Sequence, residues 1–242
     1  GCKPQITGRI EHFVARHAMN IDGIGEEVAV QLFDSGMVKN VADLYSLTGN
    51  RLLCLEHFQQ KAASRILNGI RKSLEVPFER VLFAIGIPFV GETTAKVLAR
   101  NVHTIDRLMQ MTALELSSIP EIGPKIADSI VDFFANPDNV TIIERLREAG
   151  VQLCLSEEEL ANRTNLLEGK KIVISGVFAK HSREEYKAMI EQNGGKNVSS
   201  ISSATSYVFA GDNMGPAKLE KARKLSIPII NEEEFLAMLH PE

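Results

Sequence analysis

The 242-residue chain is 44% apolar and carries a formal charge of −4, enough to bury a sizeable core in one large domain or two small ones. No apolar run approaches the ~18 residues that a membrane-spanning helix needs, so no membrane partner is expected. The excess of acid also argues against a protein that grips nucleic acid by bulk electrostatics.

The chain opens Gly1-Cys2-Lys3-Pro4 without an initiator methionine, which suggests a piece of a longer protein. Cys2, Cys54 and Cys154 lie far apart and form no CxxC pair, a usage that points away from a disulfide framework and toward a reducing cytoplasm. Up to residue 150 the pattern is helical. Ile10, Phe13 and Val14, then Val28, Leu32 and Phe33, then Ile66, Leu67, Ile70 and Leu74 recur every three or four residues, which places each set on one helix face. Residues 51–80 hold six basic side chains (Arg51, Lys61, Arg65, Arg71, Lys72, Arg80) against three acidic ones (Glu56, Glu75, Glu79). From this locally basic stretch Lys61 and Arg65 are candidate anion contacts. His12 and His17 lie five apart, a poor fit to one helix face, and are expected as surface or cap residues.

Within the helical half one corner returns four times: Ile21-Asp22-Gly23-Ile24-Gly25, Leu55-Glu56-His57-Phe58-Gln59, Phe89-Val90-Gly91 and Ile119-Pro120-Glu121-Ile122-Gly123. Aligned on Gly25, Gln59, Gly91 and Gly123, the copies are 34, 32 and 32 residues apart. Such a period marks one helical hairpin used repeatedly, because a single hairpin cannot bury its own apolar face. The glycines are expected to permit positive φ and to let another backbone approach with no Cβ in the way. The helix that follows begins with unpaired amides at the positive end of its dipole, a site for a phosphate oxygen. The second copy, with His57 and Gln59, is expected to serve packing alone. The fourth is the strongest candidate, with Pro124 suited to the first turn and Lys125 adding a cation. In the third, Thr93 adds a hydroxyl, while Glu92 opposes an anion. The resulting phosphate-binding set is Gly23, Gly25, Gly91, Thr93, Gly123 and Lys125, together with Lys61 and Arg65.

Residues 155–168, with Glu157, Glu158 and Glu159, are expected to form a polar linker. From residue 169 the period changes. Residues 171–176 and 207–211 are short, β-branched or aromatic and stopped by glycine, which suits buried strands. Helical runs at 183–193, 216–225 and 232–239 alternate with them, favouring a small, mainly parallel α/β sheet. Ser175 and Gly176 at the end of the first strand, with Lys218 in a later helix, could together give charge-assisted bonds to one phosphate.

The tandem corners resemble helix-hairpin-helix motifs. Cys2-Lys3-Pro4-Gln5, Gly8-Arg9-Ile10-Glu11-His12-Phe13, Asn20-Ile21-Asp22-Gly23-Ile24-Gly25 and Gly86-Ile87-Pro88-Phe89-Val90-Gly91-Glu92-Thr93-Thr94-Ala95 resemble the C-terminal half of bacterial NAD-dependent DNA ligases. Leu167-Glu168-Gly169-Lys170-Lys171, Ser175-Gly176, Gly194-Gly195-Lys196, Thr205-Ser206-Tyr207-Val208 and Lys218-Leu219-Glu220-Lys221-Ala222 are similar to the BRCT domain that closes them. The resemblance implies an all-α helix-hairpin-helix DNA-binding domain at 9–154, preceded at 1–8 by the remnant of a zinc-finger segment, and a BRCT domain at 169–242. It matches Cys2 to the last zinc ligand of a four-cysteine finger, completed only in the full-length protein. It further implies a bacterial cytoplasmic protein of replication and repair, associated with the nucleoid, whose partner is nicked duplex DNA held by sequence-independent phosphate contacts.

The same family uses NAD, Mg and Zn and a nucleophilic lysine in a Lys-x-Asp-Gly motif. Here Asn20-Ile21-Asp22-Gly23 has asparagine at that place, and an amide cannot form the phosphoramidate. No catalytic residue is therefore assigned, and the chain is expected to need no cofactor of its own and to be inactive in ligation alone. The rival reading is a BRCT-centred module that recruits a protein partner, with the hairpins as scaffold. The hairpin region of a repair nuclease would need a carboxylate-rich metal site, and none is evident.

Overall fold

The computed structural model describes residues 1–240 and divides into two compact units, Gly1–Leu155 and the residues from Ser156 on. Among the described residues no helix is long and apolar enough to cross a membrane.

The first unit is all helical: α1 (Lys3–Val14), α2 (Glu26–Asp34), α3 (Gly49–Leu53), α4 (Gln60–Ser73), α5 (Phe78–Ala84), α6 (Glu92–Val102), α7 (Ile105–Gln110), α8 (Ala113–Ser117), α9 (Pro124–Ala135) and α10 (Pro137–Ala149), with a 3₁₀ turn at Val41–Ser46. Four helix pairs pack across the four corners: α1 on α2, α3 on α4, α5 on α6 and α8 on α9. Their inward residues, among them Ile10, Phe13, Leu32, Ile66, Leu82 and Leu98, are wholly buried in one continuous core. Burial of each such side chain contributes about 1.5–3 kcal/mol, which no isolated five-residue helix could supply for itself. His12 is half-buried: its Nε2 lies 2.8 Å from the Phe83 carbonyl in the last turn of α5 and its ring meets the Phe83 ring edge-on, linking α1 to α5. At the other end Arg145 on α10 pairs with Asp43 at 2.7 Å. Burial works to raise the Asp43 carboxyl, but the amides of Lys39 and Asn40 and the Arg145 guanidinium outweigh it and hold the group below its usual range. Residues 153–155 then return to α6 and α7, the Ile105 amide donating to the Leu153 carbonyl and the Leu155 amide to that of His103. This return closes the unit.

The second unit contains α11 (Glu157–Ala161), β1 (Lys171–Ser175), α12 (Arg183–Gln192), β2 (Lys196–Asn197), β3 (Tyr207–Ala210), α13 (Pro216–Lys224), β4 (Ile229–Ile230) and α14 (Glu232–Leu239). The sheet has the order β2-β1-β3-β4 and every pairing is parallel. Alternation sorts its side chains: Ile172, Ile174 and Phe209 join Tyr186 and Ile190 of α12 and Phe235 of α14, whereas Val173 and Val208 join Ala222 of α13. Helices therefore cover both faces, as a buried parallel sheet requires.

The linker expected at 155–168 is only partly separate. Ser156 caps α11, the Thr164 hydroxyl donates to Asn193 Oδ1, the Leu167 amide donates to the Asn193 carbonyl, and Leu167 is fully buried beneath the sheet. Its polar composition hides Leu155 and Leu167, the buried apolar residues near its two ends. Residues 3–8, expected as a zinc-finger remnant, are the first half of α1.

Candidate nucleic-acid interface

All four corners have one backbone. The residue two before each helix cap is left-handed, with φ of +94° at Gly23, +61° at His57, +67° at Phe89 and +74° at Glu121. The cap itself is extended, at Gly25, Gln59, Gly91 and Gly123. In three corners the turn closes by a bond from the residue before the cap to one three back, Phe58 to Leu55, Val90 to Ile87 and Ile122 to Ile119. Positive φ at the third residue of such a turn defines type II, and Pro88 and Pro120 occupy the second position that type II favours. The apolar residues on either side, such as Ile21 and Ile24, Ile87 and Val90, or Ile119 and Ile122, are buried and anchor each corner to the core.

This geometry corrects the expected role of glycine. Only Gly23 needs positive φ; Gly25, Gly91 and Gly123 have ordinary negative φ, and a Cβ built on any of them would meet nothing within 4 Å. Neither strain nor the protein's own packing demands glycine there, so its effect is to leave open space in front of the helix. The second copy shares the backbone of the others. His57 tolerates the left-handed region, and Gln59 is a cap like the glycines.

None of the four helices is capped by a side chain. Among the described residues, the amides of residues 26–28, 60–62, 92–94 and 125–126 have no hydrogen-bond acceptor. By contrast, α3 and α8, which lead into the second and fourth corners, begin with Thr48 and Thr112 accepting from the third residue of the helix. First-turn charge differs between copies. Glu26 and Glu27 stand at the first corner and Glu92 at the third, the last 3.7 Å from His17. The second and fourth have no acid there and carry Lys61 and Lys125 at the same helical position, which Thr93 fills in the third.

The corners meet in pairs, and both pairs use one docking position. Arg65, six residues past the Gln59 cap, donates through Nε and Nη2 to Asp22, three before the Gly25 cap, at 2.9 and 2.6 Å. Ser129, six past Gly123, donates to the Pro88 carbonyl, three before Gly91, at 2.6 Å. Gly69 lets α4 lie against Ile21 and Asp22, where a Cβ would come within 3.2–3.3 Å of backbone. Arg65 is thus tied to the first corner rather than free. Lys125 reaches back to the third corner, its Nζ 4.2 Å from the centre of the Phe89 ring, which is 59% exposed. Sequence reasoning missed His57, Phe89 and Glu121 as the left-handed residues; the alignment on the caps, counted back two places, marks them.

In the second unit Gly176 has φ of +90°, and a Cβ on it would lie 2.6 Å from the Asp212 carbonyl oxygen and 2.9 Å from Gly211. Its glycine is required by the crossing of two loops at the carboxyl ends of β1 and β3. Ser175 is buried, Lys218 lies half-buried in the first turn of α13, and no hydrogen bond or ion pair joins them. The loop beyond Gly176 is held instead by Glu232, which accepts from the Ala179 and Lys180 amides and from the Tyr186 hydroxyl at 2.6 Å. The Tyr186 bond, followed by the Lys180 amide, keeps the Glu232 carboxyl below the usual carboxylate range. Burial first, then its bond to the Glu232 carboxylate, pushes the Tyr186 phenol up.

Cys2 is an exposed free thiol, as are Cys54 and Cys154. Among the described residues no group of three or more His, Cys, Asp or Glu could hold a metal ion, and zinc needs about four ligands. The residues present do not fit a zinc site.

Residues 80–143 match the family model described as helix-hairpin-helix motif, and residues 162–239 match that of the BRCA1 C Terminus (BRCT) domain. The first match covers the third and fourth corners, and the shared backbone extends the motif to the other two. Curated proteins named DNA ligase are similar over nearly the whole chain. That of Phocaeicola vulgatus is 56% identical over 98% of it, that of Parabacteroides distasonis 54% over 99% and that of Flavobacterium psychrophilum 52% over 99%. The chain spans 36% of the length of each of these relatives. With its helix-hairpin-helix unit followed by a BRCT domain, the chain belongs to the DNA ligase family and corresponds to about a third of a family member.

Proposed function

We propose that the first unit holds nicked duplex DNA within a bacterial NAD-dependent DNA ligase, through backbone amides that contact phosphates without reading base sequence. The observation that carries this reading is the set of four uncapped helix N-termini, three of them fronted by an open glycine cap. Such ends bind phosphate oxygens with no bulk positive charge, which reconciles DNA binding with a net charge of −4. Lys61 and Lys125 add a cation at the second and fourth corners, and Arg65 positions the first corner by neutralising Asp22. NAD, magnesium and zinc would serve other regions of the ligase.

Gel shifts with nicked duplexes of unrelated sequence test this proposal. The chain should bind all of them with similar, salt-sensitive affinity, and Gly123→Val should weaken each about equally. Valine is accommodated at φ −81° with its Cβ in open space, so the unit should still fold. Absence of a shift at low salt, or a loss confined to particular sequences, would refute phosphate recognition.

A further inference from the structure

A cleft of about 470 Å³ lies in the first unit between α1, the Lys39–Val41 segment, the end of α5 with the third corner, the end of α9, and α10. Its apolar wall includes Ile6, Ile85, Ile87, Val90, Phe133 and Ile142, and its polar groups are Arg9, His12, Lys39 and the amide side chains of Gln5, Asn40 and Asn139. No aspartate or glutamate lines it, although the chain as a whole has more acid than base. The Arg9 guanidinium and the Lys39 ammonium make no hydrogen bond or ion pair with the described residues. His12 is oriented by Phe83: a carbonyl only accepts, so Nε2 carries a hydrogen and donates to it.

Gly8 adds a second, independent observation. It lies within α1, where glycine is the poorest helix former after proline, yet a Cβ placed on it would meet nothing within 4 Å. It lines the same cleft. Helix propensity works against glycine at this place and no neighbouring group demands it, so what glycine preserves is the volume of the cleft.

We propose that this cleft is a binding site for a small molecule with a flat apolar body and a single carboxylate. The isoleucine and phenylalanine wall takes the body, and Arg9 and Lys39 take the acid through charge-assisted bonds. Arg9 and Lys39 are both exposed, so a carboxylate would pair with them at the solvent side of the cleft, and a cation would be repelled. The cleft shares Arg9, Gly86, Phe133 and Asn139 with an adjoining pocket that holds Lys125, Asp128 and Asp132, and its occupancy can be measured without DNA.

Isothermal titration of the whole chain with 2-naphthoate, and with 2-naphthylmethanol as its uncharged counterpart, tests the assignment. Naphthoate should saturate a single site, with at least tenfold weaker binding of the alcohol. The double variant Arg9→Gln/Lys39→Gln should lose a similar factor for naphthoate and none for the alcohol. Gly8→Leu should abolish binding of both by filling the cleft while raising or preserving the melting temperature, since leucine is the better helix former. Absence of saturable binding, equal affinity for acid and alcohol, or undiminished binding to a folded Gly8→Leu variant would overturn the proposal.

Discussion

Gly123 and Gly176 answer to opposite constraints. Gly176 combines a left-handed φ with backbone neighbours inside 3 Å, so any side chain would force the crossing loops away from each other; Gly123 has neither and fronts open space. From the chain alone both look like turn glycines, and only the surrounding atoms distinguish a residue kept for folding from one kept for access. Glu232 gives a sharper case. Its carboxylate is depressed by the Tyr186 hydroxyl and two amides, so its contribution is present at neutral pH and lost as pH falls through the folded value. Hydrogen exchange at the Ala179 and Lys180 amides, corrected for intrinsic rate, should therefore accelerate only below the ordinary glutamate value of about 4.3. Glu232→Gln should make exchange fast at every pH. The sequence offered no sign of this clip, because Glu232 and its partners are about fifty residues apart.

At the scale of elements, the hairpins were legible because buried apolar residues recur with the helical period and the corners with a 32–34-residue spacing. The three long helical runs and two main strands of the second unit were legible for the same reason. Strand β2, two residues long and polar, carries no periodic signal and is defined only by its pairing with β1. Electrostatic ranking of the corners also needed structure. Lys61 and Lys125 are equivalent only once both helices have the same cap, and Arg65 reads as a free cation until Asp22 is found beside it. If first-turn charge sets the strength of each corner, Glu26→Gln/Glu27→Gln should raise duplex affinity, with about 0.3–1 kcal/mol expected per exposed charge at a helix N-terminus. That is a gain of roughly two- to fivefold per site at low salt, fading as salt is added. A filter-binding titration across ionic strength would measure it, and unchanged affinity would mean that the first corner does not meet phosphate.

For the molecule as a whole, the two units have separate cores. A chain ending at Leu155 keeps the entire first core and the return of residues 153–155 onto α6 and α7. It should bind duplex within about threefold of the 242-residue chain; a loss of tenfold or more would place the second unit on the DNA. The common docking offset of the hairpin pairs also limits how this protein can change length. One residue inserted among the first six of α4 or α9 would swing Arg65 or Ser129 about 100° around its helix axis and uncouple two corners together. Insertions in the connections between hairpins leave both offsets untouched, so descendants of this chain are free to grow between hairpins and barred from growing between a cap and the residue that docks it.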